Sequence, residues 1–167
     1  MKSLSIALVL PILGLLAPSS PAQCTTLGTP GQTGCGLTPD TANELLCTQA
    51  PTVGNANFAI NTIVQCNPAL PLLLIGQCLP APIAVPGPYG TNGFCGPSAA
   101  GCFAYVGPTI FLALPGTPSA LGFWFALPIP NDPSLIGGTV CVQEVNFCIL
   151  FVGQCLAVSN GMSITVQ

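Results

Sequence analysis

The stretch Asn57-Ala-Asn-Phe-Ala-Ile-Asn-Thr-Ile-Val-Gln-Cys66 decides the fold class. Phe58, Ile60, Thr62 and Val64 fall on one side of an extended chain, and Asn57, Ala59, Asn61, Ile63 and Gln65 fall on the other. Successive side chains of a strand point to opposite sides, so a period of two reads as a half-buried β-strand. Downstream, residues 72–77 form a continuous apolar run, suited to a strand covered on both faces or at a sheet interface. Residues 80–88 are rich in proline and are expected to be a connection, not a central strand. Further strands are expected at 102–106, 109–114, 122–127 and 139–147, the last alternating around Val140, Val142 and Glu144. Pro128-Ile-Pro-Asn-Asp-Pro133 is a turn cluster. Near the end, Asn160-Gly161 separates two strand-like runs and predicts a hairpin, because a type I′ turn needs positive φ at both residues. Upstream, Thr38-Pro-Asp-Thr-Ala-Asn-Glu-Leu-Leu46 is the one helical start, with Thr41 and Glu44 at capping-box spacing.

These short runs between Pro and Gly predict an all-β, antiparallel β-sandwich, jelly-roll or Ig-like, as a single domain. One internal echo exists: Leu72-Leu-Leu-Ile-Gly-Gln-Cys-Leu79 against Ile149-Leu-Phe-Val-Gly-Gln-Cys-Leu156. It reads either as a repeated strand-and-turn unit or as coincidence among apolar residues, and no third copy extends it into an array.

The first 22 residues read as a signal peptide. Lys2 supplies the positive end, residues 4–16 are apolar and broken by Pro11 and Gly14, and Ser20 and Ala22 suit cleavage before Gln23. The run is short for a bilayer span, and Gln23 before Cys24 does not suit a lipoprotein signal. A retained signal anchor is the rival reading. Residues 23–167 then form the mature domain, about 145 residues and large enough for one core. The expected location is secreted, extracellular or in the cell envelope, with no transmembrane segment after cleavage.

The charge inventory excludes several functions. Lys2 is the one basic residue of the chain and there is no His, so the mature domain carries only Asp40, Glu44, Asp132 and Glu144. Nucleic-acid binding needs cations to neutralise phosphates, and recognition of anionic lipid by basic residues needs them equally. High hydropathy argues for a folded chain and not a disordered one. A surface of Thr, Ser, Asn, Gln, Gly and Pro with little net charge resists association poorly, which makes self-assembly or adhesion physically reasonable.

Ten cysteines follow the signal: Cys24, Cys35, Cys47, Cys66, Cys78, Cys95, Cys102, Cys141, Cys148 and Cys155. An even number in a secretory context predicts five disulfides, with about 945 possible pairings. Metal binding is the rival reading, but no Cys-x-x-Cys and no His exist to build zinc sites of ordinary spacing.

Reaction chemistry has few candidates. Without His or Lys no common Ser or Cys nucleophile can be activated, and each cysteine reads as a half-cystine. Asp132 and Glu144 are the one carboxylate pair that could act as a glycosidase-type acid and base. Against that, Asp132 lies in a turn where Asx side chains bond their own backbone, and Glu144 is expected on a solvated face. Asp40 and Glu44 fit the helical cap. A weak calcium site at Asp132 stays open, but four scattered acids do not make a strong one. No catalytic, cofactor or metal residue is therefore assigned. The aromatic run Gly122-Phe-Trp-Phe125 has two readings. Trp124 could stack on a sugar ring, or pack in the core with its apolar neighbours, and packing is the expectation. Tyr89 and Asn92, in the Gly-Pro-Tyr-Gly-Thr-Asn-Gly loop, are a second surface-contact candidate.

Several segments together resemble a family of secreted proteins from planctomycete-type bacteria. They are Thr33-Gly-Cys-Gly-Leu-Thr-Pro39, Pro51-Thr-Val-Gly-Asn-Ala-Asn-Phe-Ala-Ile60, Pro71-Leu-Leu-Leu-Ile-Gly76, Gly101-Cys-Phe-Ala-Tyr-Val106, Ala126-Leu-Pro-Ile-Pro-Asn-Asp-Pro-Ser-Leu135 continuing through Val142-Gln143, and Ser159-Asn-Gly-Met-Ser-Ile-Thr-Val166. The resemblance implies a β-sandwich module without an assigned molecular function, here as a stand-alone copy. It also implies a Cys35–Cys102 bridge. Relatives lack the eight further cysteines, and a Cys148–Cys155 clip across one loop is the accompanying expectation. The functional expectation is a non-catalytic structural or interaction module of envelope, matrix or adhesive type. Its partners would be a second copy, other envelope proteins or polysaccharide. The alternatives are a carbohydrate-binding module using Trp124 or Tyr89, and a hydrolase using carboxylates alone.

Overall fold

The computed structural model describes residues 23–27, 44–63, 69–85, 102–120, 122–150 and 153–167. Residues 1–22, expected to be a signal peptide, and Asp40, Thr41, Cys35, Cys66, Tyr89, Asn92 and Cys95 lie outside the described residues.

The described chain forms nine strands. They are β1 (Gln23–Leu27), β2 (Leu45–Cys47), β3 (Ala59–Ile63), β4 (Ala69–Val85), β5 (Cys102–Pro115), β6 (Thr117–Pro118), β7 (Gly122–Ala126), β8 (Thr139–Leu150) and β9 (Gly153–Thr165), with one 3-10 turn at Pro133–Leu135. A five-stranded sheet runs β1-β9-β8-β4-β5 and a four-stranded sheet runs β2-β3-β7-β6. Every pairing is antiparallel.

The core lies between the sheets. Leu45, Phe58, Ile60 and Phe125 from the four-stranded side meet Leu73, Val142, Met162 and Ile164 from the five-stranded side. Over residues 57–63 the expected alternation is seen in part: Phe58, Ile60 and Thr62 are buried and Ile63 is exposed, but Ala59 on the other side is buried as well, and residues 64–66 lie outside the described residues. Burying one large side chain such as Phe125 contributes about 2–3 kcal/mol.

The larger sheet is curled into a half-barrel, not a flat layer. Its edge strand β5 reaches β8 and β9 as well as its neighbour β4. Gln143 ties this curl together from β8. Its Oε1 accepts from Tyr105 N at 3.0 Å, and its Nε2 donates to Phe103 O at 2.7 Å and Ser159 O at 3.0 Å.

Three local expectations change. The proline-rich residues 80–85 continue β4 instead of forming a connection. β8 pairs with β4 only from Ala69 to Gly76, and beyond that β4 pairs with β5 through Ile83, Ala84 and Val85. A proline lacks an N–H, so it is tolerated where one side of a strand has no partner. Leu45 and Leu46, the end of the expected helical turn, lie in β2. Leu45 is drawn into the core, and its N–H is taken by Asn160 Oδ1 at 3.0 Å.

Asn160-Gly161 is not a hairpin turn; it lies within β9. Gly161 has no positive φ, whereas Gly54 and Gly137 do. The pair sits instead at an irregularity of the β8–β9 ladder between Gln143 and Val145. The glycine is needed there for space, because a Cβ would run into the Tyr105 ring. The two echoing octapeptides also have different settings. The first lies inside β4, and the second spans the end of β8 and the start of β9.

Two disulfides brace this frame. Cys24–Cys47 joins β1 to β2, and so one sheet to the other, with Cα atoms 6.3 Å apart. Cys78–Cys141 joins β4 to β8 with Cα atoms 4.8 Å apart, beside their last paired residues. Cys155 is also disulfide-bonded, and Cys148 stands opposite it in the β8–β9 register. Cys35 and the side chains of Cys102 and Cys148 lie outside the description, so the Cys35–Cys102 and Cys148–Cys155 expectations rest on the sequence. No described cysteine is free.

Candidate binding face and a buried carboxylate

Trp124 is 39% exposed, so the expectation that it packs in the core is corrected. The parity of its strand explains why. Phe125 points into the inter-sheet core and Phe123 packs against it, which turns Trp124 to the outer face of the smaller sheet. Registers across that sheet align Leu46, Asn61, Trp124 and Thr117 in one row. Residues in one row share a face, so the indole is flanked by an amide and a hydroxyl. Along its own strand its same-side neighbours are the small residues Gly122 and Ala126.

The polar groups of the row are held in place. Thr117 Oγ1 donates to Trp124 O at 2.9 Å, fixing β6 to β7. Ser119 Oγ donates to Asn61 Oδ1 at 3.3 Å, which uses the amide oxygen and leaves the amide N–H donors available. Leu46 and Ile63 are exposed on the same face. Glu44, whose carbonyl accepts from Ile63 N, stands exposed at its corner.

The second unusual group is Glu144. It is completely buried, which corrects the expectation of a solvated position. It shares a parity with Val142, so β8 turns both toward the four-stranded sheet. Thr62 Oγ1 of β3 donates to Glu144 Oε1 at 3.2 Å, and Ser159 Oγ accepts from Glu144 N at 2.8 Å. Glu144 Oε2 and both side-chain polar atoms of Asn146 are buried without a hydrogen-bond partner. Burial pushes the Glu144 carboxyl up to about 7, and the nearby Asn146 amide and Thr62 hydroxyl offset only part of that rise. The chain after residue 22 has no cation that could pair with it.

The other described acids, Glu44 and Asp132, are both exposed and do not join it. Asp132 is exposed and caps the 3-10 turn, its Oδ1 accepting from Ser134 N at 2.9 Å, which holds its carboxyl below the usual range. This is the Asx-type bond its turn implied. A sugar cannot lie between one enclosed carboxyl and one committed to a surface cap, so Asp132 and Glu144 do not form a glycosidase pair. Among the described residues no three His, Cys, Asp or Glu side chains gather as a metal-binding group. No described helix is long and apolar enough to cross a membrane.

Sequence reasoning missed the enclosed set of Thr62, Glu144, Asn146, Ser159 and Asn160. The parity of Val142, Glu144 and Asn146 was the available signal. It was masked by the usual preference of Glu and Asn for solvent. No protein-family model, curated protein or solved structure matches this chain.

Proposed function

We propose that this protein is a secreted, non-catalytic interaction module of the cell envelope or matrix, and that it holds neutral polysaccharide on the outer face around Trp124. One observation carries the reading: the single tryptophan of the chain stands exposed on a sheet face between Asn61 and Thr117. An indole offers an apolar plane for the C–H face of a sugar, and the neighbouring amide and hydroxyl can serve its hydroxyl groups. Glu44 at the corner disfavours acidic polymers, and the absence of cations removes any compensating attraction. The disulfides fit an oxidising compartment and support secretion.

In the same proposal the half-barrel and the smaller sheet are a modified two-layer sandwich, of the planctomycete-type family that the sequence resembles. Self-assembly through the weakly charged surface is the companion reading, favoured by exposed Leu46 and Ile63 beside Trp124.

Intrinsic fluorescence tests the polysaccharide reading directly, since all tryptophan emission comes from Trp124. The expected result is a blue-shifted, saturable response to a soluble neutral glucan, xylan or chitin oligosaccharide, lost in Trp124→Ala. An unchanged spectrum with all three polymers, together with no retention on their insoluble forms, would refute it.

A further inference from the structure

Between the two sheets, at the end bounded by the β7–β8 connection, lies a cleft of about 480 Å³. Its floor is core: Phe58, Val142 and Ile164. Its lip is the Leu127-Pro-Ile-Pro130 segment, and Val140, 36% exposed, stands on β8 among the lining residues. Every described lining residue is apolar.

Three backbone polar groups of the lip are also engaged within the protein. Leu127 N bonds Phe58 O, Ile129 N bonds Asn55 O, and Pro130 O accepts from Gly54 N, at 3.0–3.1 Å. Gly137 N and Val166 O close the other side at 2.8 Å. Together with Pro128 and Pro130 these bonds make the lip stiff, so the cleft is formed before any ligand arrives. A volume of this size lies in the range of small-molecule sites.

Charge decides the class of occupant. The mature chain holds no Lys, Arg or His to meet an anionic headgroup. The one charged side chain of the β7–β8 connection is Asp132, exposed between the lining residues Pro130 and Leu135 and kept ionised by its cap. A carboxylate-headed or phosphate-headed chain would meet repulsion there and no partner inside. We propose that the inter-sheet cleft binds a neutral hydrocarbon ligand, an uncharged single-chain lipid or small apolar ring system. Trp124 itself does not line this cleft, so the failure of this proposal would leave the polysaccharide reading untouched.

The experiment uses the disulfide-bonded protein and the uncharged dye 1-N-phenylnaphthylamine. The expected result is saturable dye enhancement that dodecanol displaces and laurate displaces at least about tenfold more weakly. Val140→Phe, which plugs the cleft, should weaken dye binding about tenfold while circular dichroism and the melting curve stay unchanged. If Val140→Phe does not fold, Leu135→Trp on the lip provides the same reading. Absence of enhancement, equal displacement by laurate, or enhancement untouched by the folded plug variant overturns the proposal. So does a dye signal that falls with protein concentration in step with dimer formation, since a second copy would then be the occupant.

Discussion

Thr62 on β3 and Glu144 on β8 meet across the two sheets, hydroxyl to carboxyl oxygen, at 3.2 Å. Around them, Leu45 N reaches Asn160 Oδ1 at 3.0 Å, so a second polar contact crosses the same interface. An apolar interior thus contains a polar seam at the β8–β9 irregularity. Its most expensive member is an acid with no Lys, Arg or His anywhere in residues 3–167 to neutralise it.

Stability should fall as pH rises through the titration of this acid. The Glu144 carboxyl is raised from 4.5 to about 7 in the folded state. Between those values the folded chain holds more protons than the unfolded one, so unfolding becomes easier with increasing pH. The contribution is greatest at or below about pH 4.5 and is lost by about pH 7, with a span of about 3 kcal/mol. Asp132 acts in the opposite sense at lower pH, since its carboxyl is lowered and its contribution disappears on acidification. Urea denaturation at several pH values measures the slope. Glu144→Gln should flatten it, and a slope identical to that of the parent would refute the assignment.

Adjacent aromatic residues should respond in opposite ways. Phe125 is 1% exposed in the core, so Phe125→Ala should cost about 3–5 kcal/mol. Trp124→Ala should cost less than about 1 kcal/mol, because the indole is on the outer face. Comparable losses in thermal denaturation would mean that Trp124 is a packing residue.

The two located disulfides should differ in weight. Cys24–Cys47 spans 23 residues and Cys78–Cys141 spans 63. Loop-closure entropy then predicts losses of about 3 and about 4 kcal/mol for the paired Cys→Ser variants. The Cys24/Cys47 variant should also loosen the attachment of β2, read as faster amide exchange at Leu45 and Leu46. Equal protection of β2 in parent and variant would contradict the inter-sheet role.

Two glycines should fail for different reasons. Gly161→Ala drives a methyl group into the Tyr105 ring and should cost at least about 2 kcal/mol by overpacking. Gly137→Ala meets nothing, but its φ of +81° is unfavourable for an L-residue and should cost about 1 kcal/mol. Denaturant midpoints for both variants rank them, and a harmless Gly161→Ala would contradict the close approach of β5 and β9.

Much of the fold was legible in local pattern. The period of two from residue 57 onward identified β3 with its buried Ile60, and the buried Phe58 just before it, and the Pro-Asn-Asp-Pro cluster identified a capped turn at Asp132. The Asn160-Gly161 signal misled because local turn propensity was outweighed by packing against Tyr105. The proline-rich part of β4 misled because a proline is excluded only from paired N–H positions, and strand neighbours are not encoded nearby.

By itself, then, the sequence determined an antiparallel all-β chain rich in half-cystines, with no Lys, Arg or His after Lys2. Those follow from residue type and spacing, which are local. Tertiary structure alone decided that Glu144 is enclosed, that Trp124 faces outward, and that an apolar cleft opens between the sheets. Alternation tells which side chains share a face of a strand. Only the arrival of the second sheet determines which of the two faces is taken from water.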